Sequence, residues 1–330
     1  MLGGIAAVIA TRPRPPATPA RIDVHHHHLS PRFLAEGRSH RAFPASSRDW
    51  TPERSLEDMD RGGVAIAFLS VPTPGVYFGD IGATRRLARA CNDYGANLVR
   101  MHPSRFRLLA TLPLPDVDAS VREIGYVLDE LGGDGVGAFS SYDRKWLGDP
   151  AFEPIFAELE RRKALLFVHP ALNACCEGLV PGVPDTIVEY QTDTTRTIAS
   201  LVFSGTTVRY PGVRFVFSHA GGTMPYLIER FTQFAKSPEI AARLPLGVTH
   251  ELARFYYDTA WSTNAAAMSA LTSVAPVSRI VFGTDYPAVT ASDSVAGLAA
   301  SGLGGDELSR IYRTNASVLF PSLTTVHADV

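Results

Sequence analysis

From Arg21 onward, short runs of β-branched and other apolar residues alternate with longer stretches whose apolar positions recur every three or four residues. Continuous apolar runs fit strands buried on both faces, and the longer period fits helices lying against them. Eight runs predict strands: Arg21–His25, Val64–Ser70, Phe106–Thr111, Gly135–Phe139, Leu165–His169, Val213–Ser218, Phe255–Thr259 and Ile280–Thr284. Helical periodicity falls between them, as over Thr84–Val99, Asp118–Leu131, Phe152–Arg162, Thr194–Ser204 and Tyr226–Ala235. Eight strands alternating with helices predict an α/β protein of parallel strands closed into a (β/α)8 TIM barrel. A doubly wound dinucleotide fold would place a glycine-rich turn after the first strand, whereas here that strand runs into His25–His28. The stretch Pro170–Asp193, which contains Pro181-Gly-Val-Pro184, predicts an ordered loop over the barrel mouth rather than a domain boundary.

Composition narrows the picture further. The 330 residues are 45% hydrophobic and 19% charged, which excludes disorder, collagen and coiled coil and suits a barrel formed by residues 21–330 as one domain. With 31 Lys plus Arg against 33 Asp plus Glu and no long basic run, neither nucleic acid nor an acidic membrane is expected as partner. No apolar stretch approaches the roughly 18 residues of a spanning helix, so a small molecule is the expected partner of a soluble chain. Residues 1–20 stand apart: apolar Leu2–Ala10 followed by a Pro- and Arg-rich segment reads as a disordered tail or as the remnant of an export signal lacking its basic start. The first alternative places the protein in the cytoplasm and the second in the periplasm. Three cysteines, two of them the adjacent Cys175-Cys176, make neither a disulfide framework nor a Cys-x-x-Cys metal site.

In a barrel of this kind the chemistry lies at the carboxyl ends of the strands. Four of the predicted strands end in residues able to bind metal: His25 and His27 on the first, His169 on the fifth, His219 on the sixth and Asp285 on the eighth. Residues two apart on a strand share a face, so His25 and His27 are expected to point to the barrel axis, with Val24 and His26 pointing away. A short histidine run could be a purification-tag scar, but this one is internal and continuous with an apolar strand. Imidazoles with a carboxylate suit Zn, Fe, Mn or Co and leave room for water or substrate.

The chain resembles the metal-dependent amidohydrolase superfamily, in its branch of aminocarboxymuconate-semialdehyde decarboxylase-like, aromatic-acid decarboxylases. The resemblance rests on Ile22-Asp-Val-His-His-His27, Phe167-Val-His-Pro170, Asp193-Thr-Thr-Arg196 with Phe203-Ser-Gly205, Phe217-Ser-His-Ala-Gly-Gly222 and Gly283-Thr-Asp-Tyr-Pro287. It implies that His25, His27, His169 and Asp285 bind one divalent ion, Zn2+ first and Mn2+ second, with His219 beside it for proton transfer. A fifth protein ligand would also close the open position that a catalytic metal needs. Two-metal members carry a carboxylated lysine at the end of strand four; here that strand ends at Phe139 and Lys145 lies beyond it, which favours one metal. Arg230 matches a position from which relatives reach a substrate carboxylate, in some across a homodimer interface, and a guanidinium fork suits that task. Arg196 and Trp50 complete the expected substrate contacts. The segment after Trp50 departs from the relatives, with Ser55 where one carries arginine and Arg54 one position away.

The activity expected from these features is nonoxidative decarboxylation of a small hydroxyaromatic or related unsaturated acid, such as a salicylate or resorcylate, with His219 or Asp285 protonating the ring. The alternative is hydrolysis of a lactone, ester or amide by metal-activated water at the same site. A noncatalytic metal-binding barrel is the third reading.

Overall fold

The computed structural model describes residues 20–39, 47, 49–172 and 174–323; the apolar stretch Leu2–Ala10 lies outside them. Among the described residues ten strands occur in chain order: β1 Arg21–His27, β2 Val64–Ser70, β3 Phe106–Thr111, β4 Gly135–Phe139, β5 Ser141–Tyr142, β6 Lys145–Trp146, β7 Leu165–His169, β8 Arg214–Phe217, β9 Tyr256–Asp258 and β10 Ile280–Val281. Eight of them form one parallel sheet in the order β1-β2-β3-β4-β7-β8-β9-β10, while β5 and β6 make a separate hairpin. The sheet closes on itself where the Val24 N–H donates to the Phe282 carbonyl and the His27 N–H to that of Tyr286, both at 2.9 Å. The expected barrel is therefore present, with helices between its strands.

Four strands have the boundaries expected from their apolar runs: β2, β3, β4 and β7. The last three barrel strands are shorter than expected because their ends leave extended geometry. His219, Trp261 and Asp285 all have positive φ, at 54°, 55° and 67°. Regular pairing stops there and the freed residues turn over the barrel mouth.

The barrel interior is filled by a layer that takes Ile22 and Val24 from β1, Phe68, Leu109, Leu165, Phe167, Val216, Tyr256 and Val281. The C-terminal helix Asn315–Leu319 and Phe320 seal its lower end, with the Phe320 ring stacked 3.9 Å from Phe68. Val24 thus faces inward, contrary to simple alternation. The register of β1 on β2 slips between Asp23 and His26, a one-residue bulge that sets Val24 and His25 on the same side. Alternate residues on the outer face, among them Leu166, Val168, Phe215 and Phe217, pack into the second core under the helices.

Two local expectations are corrected. The helix expected from Thr194 begins at Glu189 and runs to Phe203, so the mouth loop ends earlier than Asp193 and contains short turns at Ala174–Cys176 and Asp185–Ile187. Its first turn is polar, which hid it from an apolar period. Helix Val117–Gly125 continues as a single wide turn, Tyr126–Glu130. In the mouth loop Cys175 and Cys176 are joined as a disulfide, and Cys91 is a buried thiol. No helix among the described residues is long and apolar enough to cross a membrane.

Candidate metal centre

The ends of β1, β7, β8 and β10 bring His25, His27, His169, His219 and Asp285 together, all buried, at the top of the interior layer. The Nε2 atoms of His25, His27 and His169 gather on one carboxylate oxygen, Asp285 Oδ1, at 3.2, 2.8 and 3.9 Å. His219 lies on the other side of that carboxylate, its Nε2 3.4 Å from Oδ2. Distance alone groups His25, His169, His219 and Asp285, whose ligand-type atoms fall within 4.8 Å of one another. His27 belongs to the same cluster, with Nε2 3.1 Å from that of His25.

The opposite ring nitrogens separate these histidines into two kinds. His25 Nδ1–H donates to Asp258 at 2.8 Å, His27 Nδ1 meets the Ser70 hydroxyl at 2.9 Å, and His169 Nδ1–H donates to the Pro170 carbonyl at 3.0 Å, with the Thr73 hydroxyl at 3.1 Å. A carboxylate or carbonyl only accepts, so the proton of His25 and His169 is held at Nδ1 and Nε2 is turned to the centre. His219 Nδ1 has no partner among the described residues, nor has the buried His169 Nε2 that faces the cluster.

Electrostatics favour a cation at this point. Burial alone would lower the His25 pKa, but Asp258 and Asp285 outweigh it and raise it to about 10. Burial dominates at the other two imidazoles, so His27 is lowered to about 3 and His169 to about 4 despite Asp285. The Asp285 carboxyl is held well below its usual range; burial opposes this, and His25 and the hydrogen bonds from neighbouring histidines overcome it. The centre thus holds one positive charge among three nitrogens and a carboxylate. A divalent ion in place of that proton fits the donor set, the orphaned His169 Nε2 and the anchored outer nitrogens.

Close backbone approach makes this packing possible. A Cβ on Gly283 would lie 2.8 Å from His25 Cβ and 2.9 Å from Asp258 Cβ, so only glycine lets the chain leaving β10 pass beside both. After His219 the chain turns through Ala220, Gly221 and Gly222, all at positive φ, and a Cβ on Gly222 would come within 2.2 Å of the Gln191 carbonyl oxygen. The His219 N–H is meanwhile held by Asp258 Oδ1 at 2.9 Å.

Sequence reasoning overlooked Asp258, Ser70, Thr73 and Trp261, which touch the cluster from strand ends and mouth loops. Asp258 carried a usable signal, an acid closing the seventh apolar run. Asp23, though quoted within its motif, has a separate task. Its carboxylate accepts from the His25 and Thr284 N–H groups and the Thr284 hydroxyl, which ties β1 to the end of β10. Asp193 likewise accepts from Ser140, Ser141 and Trp146, fastening the β5–β6 hairpin to the helix Glu189–Phe203.

The three expected substrate contacts are placed differently from the cluster. Trp50 is buried with its indole N–H on the Ser55 hydroxyl, which also meets His26 on the outward side of β1. Arg196 lies 3.6 Å from Glu189 and 3.7 Å from the Cys176 sulfur, under the mouth loop. Arg230 is exposed on the helix Ile228–Phe234 and pairs with no carboxylate among the described residues; Tyr226 and Phe234, four residues before and after it, are exposed as well. A cavity of about 420 Å3 opens at the mouth, with Val76, Phe139 and Leu172 on its apolar side and Asp143, Arg144 and Glu177 on its charged side. Phe139 connects it to the cluster, with its ring 5.8 Å from that of His169.

Comparison with known proteins agrees with this architecture. Decarboxylase yanB of Aspergillus niger is 34% identical over 91% of this chain and 87% of its own length. The 6-methylsalicylic acid decarboxylase acuB of Aspergillus aculeatus is 34% identical over 94% and 98%. Among solved structures, a dihydroxybenzoic acid decarboxylase from Polaromonas sp. JS666 with bound manganese and the inhibitor 2-nitroresorcinol has the same fold, with a TM-score of 0.79 at 20% identity over 92% of this chain and 97% of that one. The sequence profile of the Amidohydrolase family matches residues 22–321, nearly the whole span of the barrel that carries the histidine centre, and the chain belongs to that family.

Proposed function

We propose that the chain removes carbon dioxide, without oxidation, from a small aromatic acid bearing a hydroxyl beside its carboxylate, with one divalent ion held by His25, His27, His169 and Asp285. The observation that carries this reading is the gathering of three anchored imidazoles on Asp285 Oδ1, with His219 unanchored and set toward Oδ2. A ligating histidine almost always donates its other N–H to an oxygen, which His25, His27 and His169 can do and His219 does not. The names of the two fungal relatives support the reaction class, and one of them names 6-methylsalicylic acid. The enzyme is thus a carboxy-lyase.

When bound, the ion supplies Lewis acidity that stabilises negative charge on the substrate oxygens. His219 delivers a proton from Nε2 to the ring carbon that bears the carboxylate. The bond from that carbon to the carboxylate then breaks, its electron pair restores the aromatic ring and carbon dioxide leaves. Asp285 Oδ2, beside His219 Nε2, holds that imidazole toward the centre and is the second group able to carry the proton. The cavity walls Phe139, Tyr142 and Leu172 give an apolar face on which an aromatic ring can lie.

Three imidazoles and a carboxylate make Zn2+ the expected ion, with Mn2+, bound by the Polaromonas neighbour, the second. Its exposure on the single chain leaves Arg230 free to reach a substrate carboxylate across a homodimer interface, flanked by Tyr226 and Phe234. Arg196 and Trp50 act behind the pocket, through the mouth loop and through Ser55. Residues 21–330 act as a single catalytic domain, in the cytoplasm unless residues 1–20 direct export.

The test incubates purified chain, loaded with Zn2+ or Mn2+, with salicylate, 2,6-dihydroxybenzoate and 6-methylsalicylate. Release of carbon dioxide and the matching phenol is expected from at least one. The reading fails if no acid reacts with either ion while esters or lactones are hydrolysed.

A further inference from the structure

Trp261 stands in the loop after β9, with 59% of its surface exposed and φ at +55°. Both features are unfavourable for a large apolar side chain, and a left-handed position ordinarily selects glycine or asparagine. The surrounding loop enforces the conformation. The Ala260 N–H donates to Asp258 Oδ1 at 3.0 Å, the Ser262 N–H to the Thr259 carbonyl at 3.0 Å, and the Gly283 N–H to the Thr259 hydroxyl at 3.1 Å. Backbone strain held in this way collects at functional positions.

What the strained position achieves is one contact: the indole N–H donates to Asp285 Oδ2 at 2.7 Å. The other oxygen of the same carboxylate is the one on which His25, His27 and His169 converge. We propose that Trp261 is a positioning residue of the metal centre, whose N–H pins Oδ2 so that Asp285 presents Oδ1 to the ion and keeps Oδ2 toward His219. Without that donor the carboxylate is free to turn about its Cβ–Cγ bond, and ion binding has to order it. This role rests on the reading that these four residues hold a divalent ion.

The experiment titrates Mn2+ into the metal-free full-length chain and follows free Mn2+ by electron paramagnetic resonance. Trp261→Phe keeps a ring and removes the donor, and its Mn2+ affinity is expected to fall about 10-fold or more, the usual scale for losing a group that orients a ligand. Trp261→Gly removes the donor and also relieves the left-handed strain, so it folds even where the Phe variant does not. Its metal-free form should melt no lower than wild type while its Mn2+ affinity falls by a similar factor. A merely structural tryptophan would lower stability and leave affinity unmoved. Wild-type affinity in the folded variants overturns this inference alone, whereas a wild-type chain that takes up no ion overturns the metal centre itself.

Discussion

Replacing Asp258 by asparagine tests how much of the centre is set from outside the ligands. Asp258 accepts from His25 Nδ1 at 2.8 Å through Oδ2, and from the His219 and Ala260 N–H groups at 2.9 and 3.0 Å through Oδ1. Asparagine keeps the Oδ1 acceptor and hence both backbone contacts, so the fold survives. Its NH2 group, however, replaces the oxygen facing His25 and favours the tautomer with a proton on Nε2, aimed at the position of the ion. Burial alone would lower the His25 pKa, yet Asp258 and Asp285 together raise it from 6.5 to about 10, so Asp258 favours positive charge at this ring. Removing the outer partner of a ligating histidine usually weakens metal binding about 10- to 100-fold, and with His25 Nδ1 left without its carboxylate the Asp258→Asn protein should bind Zn2+ about 10-fold more weakly or worse. The assay is competition for Zn2+ against a chromophoric chelator at pH 7.5, with circular dichroism to verify folding. A folded Asp258→Asn protein that binds Zn2+ within 3-fold of wild type would refute the role of Asp258.

Three further outcomes are expected. His219→Asn should retain one metal per chain while turnover falls about 100-fold or more, the scale of a lost general acid; loss of the metal together with activity would make His219 a ligand instead. Inactive Arg230→Ala and His219→Asn chains, mixed under conditions of demonstrated subunit exchange, should regain activity, because each hybrid dimer has one pocket with both residues intact; no recovery would place Arg230 outside the neighbouring site. Metal-free protein should be most stable near pH 6.5. His27, His28 and His169 have folded pKa values lowered to about 3, 4 and 4, so below pH 6.5 the unfolded chain takes up protons first and stability falls, by up to about 1.4 kcal/mol per pH unit for each. His25 is raised instead, so its contribution is complete below pH 6.5 and is lost as pH rises toward 10. Bound metal should abolish that alkaline limb, and a melting temperature that is flat from pH 4.5 to 9 without metal would contradict these assignments.

The barrel was legible in the sequence because a parallel strand buried on both faces has to be apolar along its length. Val64–Ser70 and Leu165–His169 therefore announce themselves without any knowledge of their neighbours. The centre was legible for a related reason: in a barrel every strand ends on the same face, so residues at the ends of separate apolar runs are brought together by topology alone. His25, His169, His219 and Asp285 meet on that account. What only the tertiary structure decided depends on registers and on contacts between distant segments. The bulge that turns Val24 inward arises from the pairing of β1 with β2, which no local pattern records. Asp258 reaches His25 across 233 positions of the chain, and Trp261 reaches Asp285 from a strained turn that its own residue type does not suggest. A periodic pattern reports which face of an element is buried; it carries no information on which oxygen meets which nitrogen. That depends on backbone approaches such as the one at Gly283, where a single methyl group would keep the chain leaving β10 from lying against His25 and Asp258.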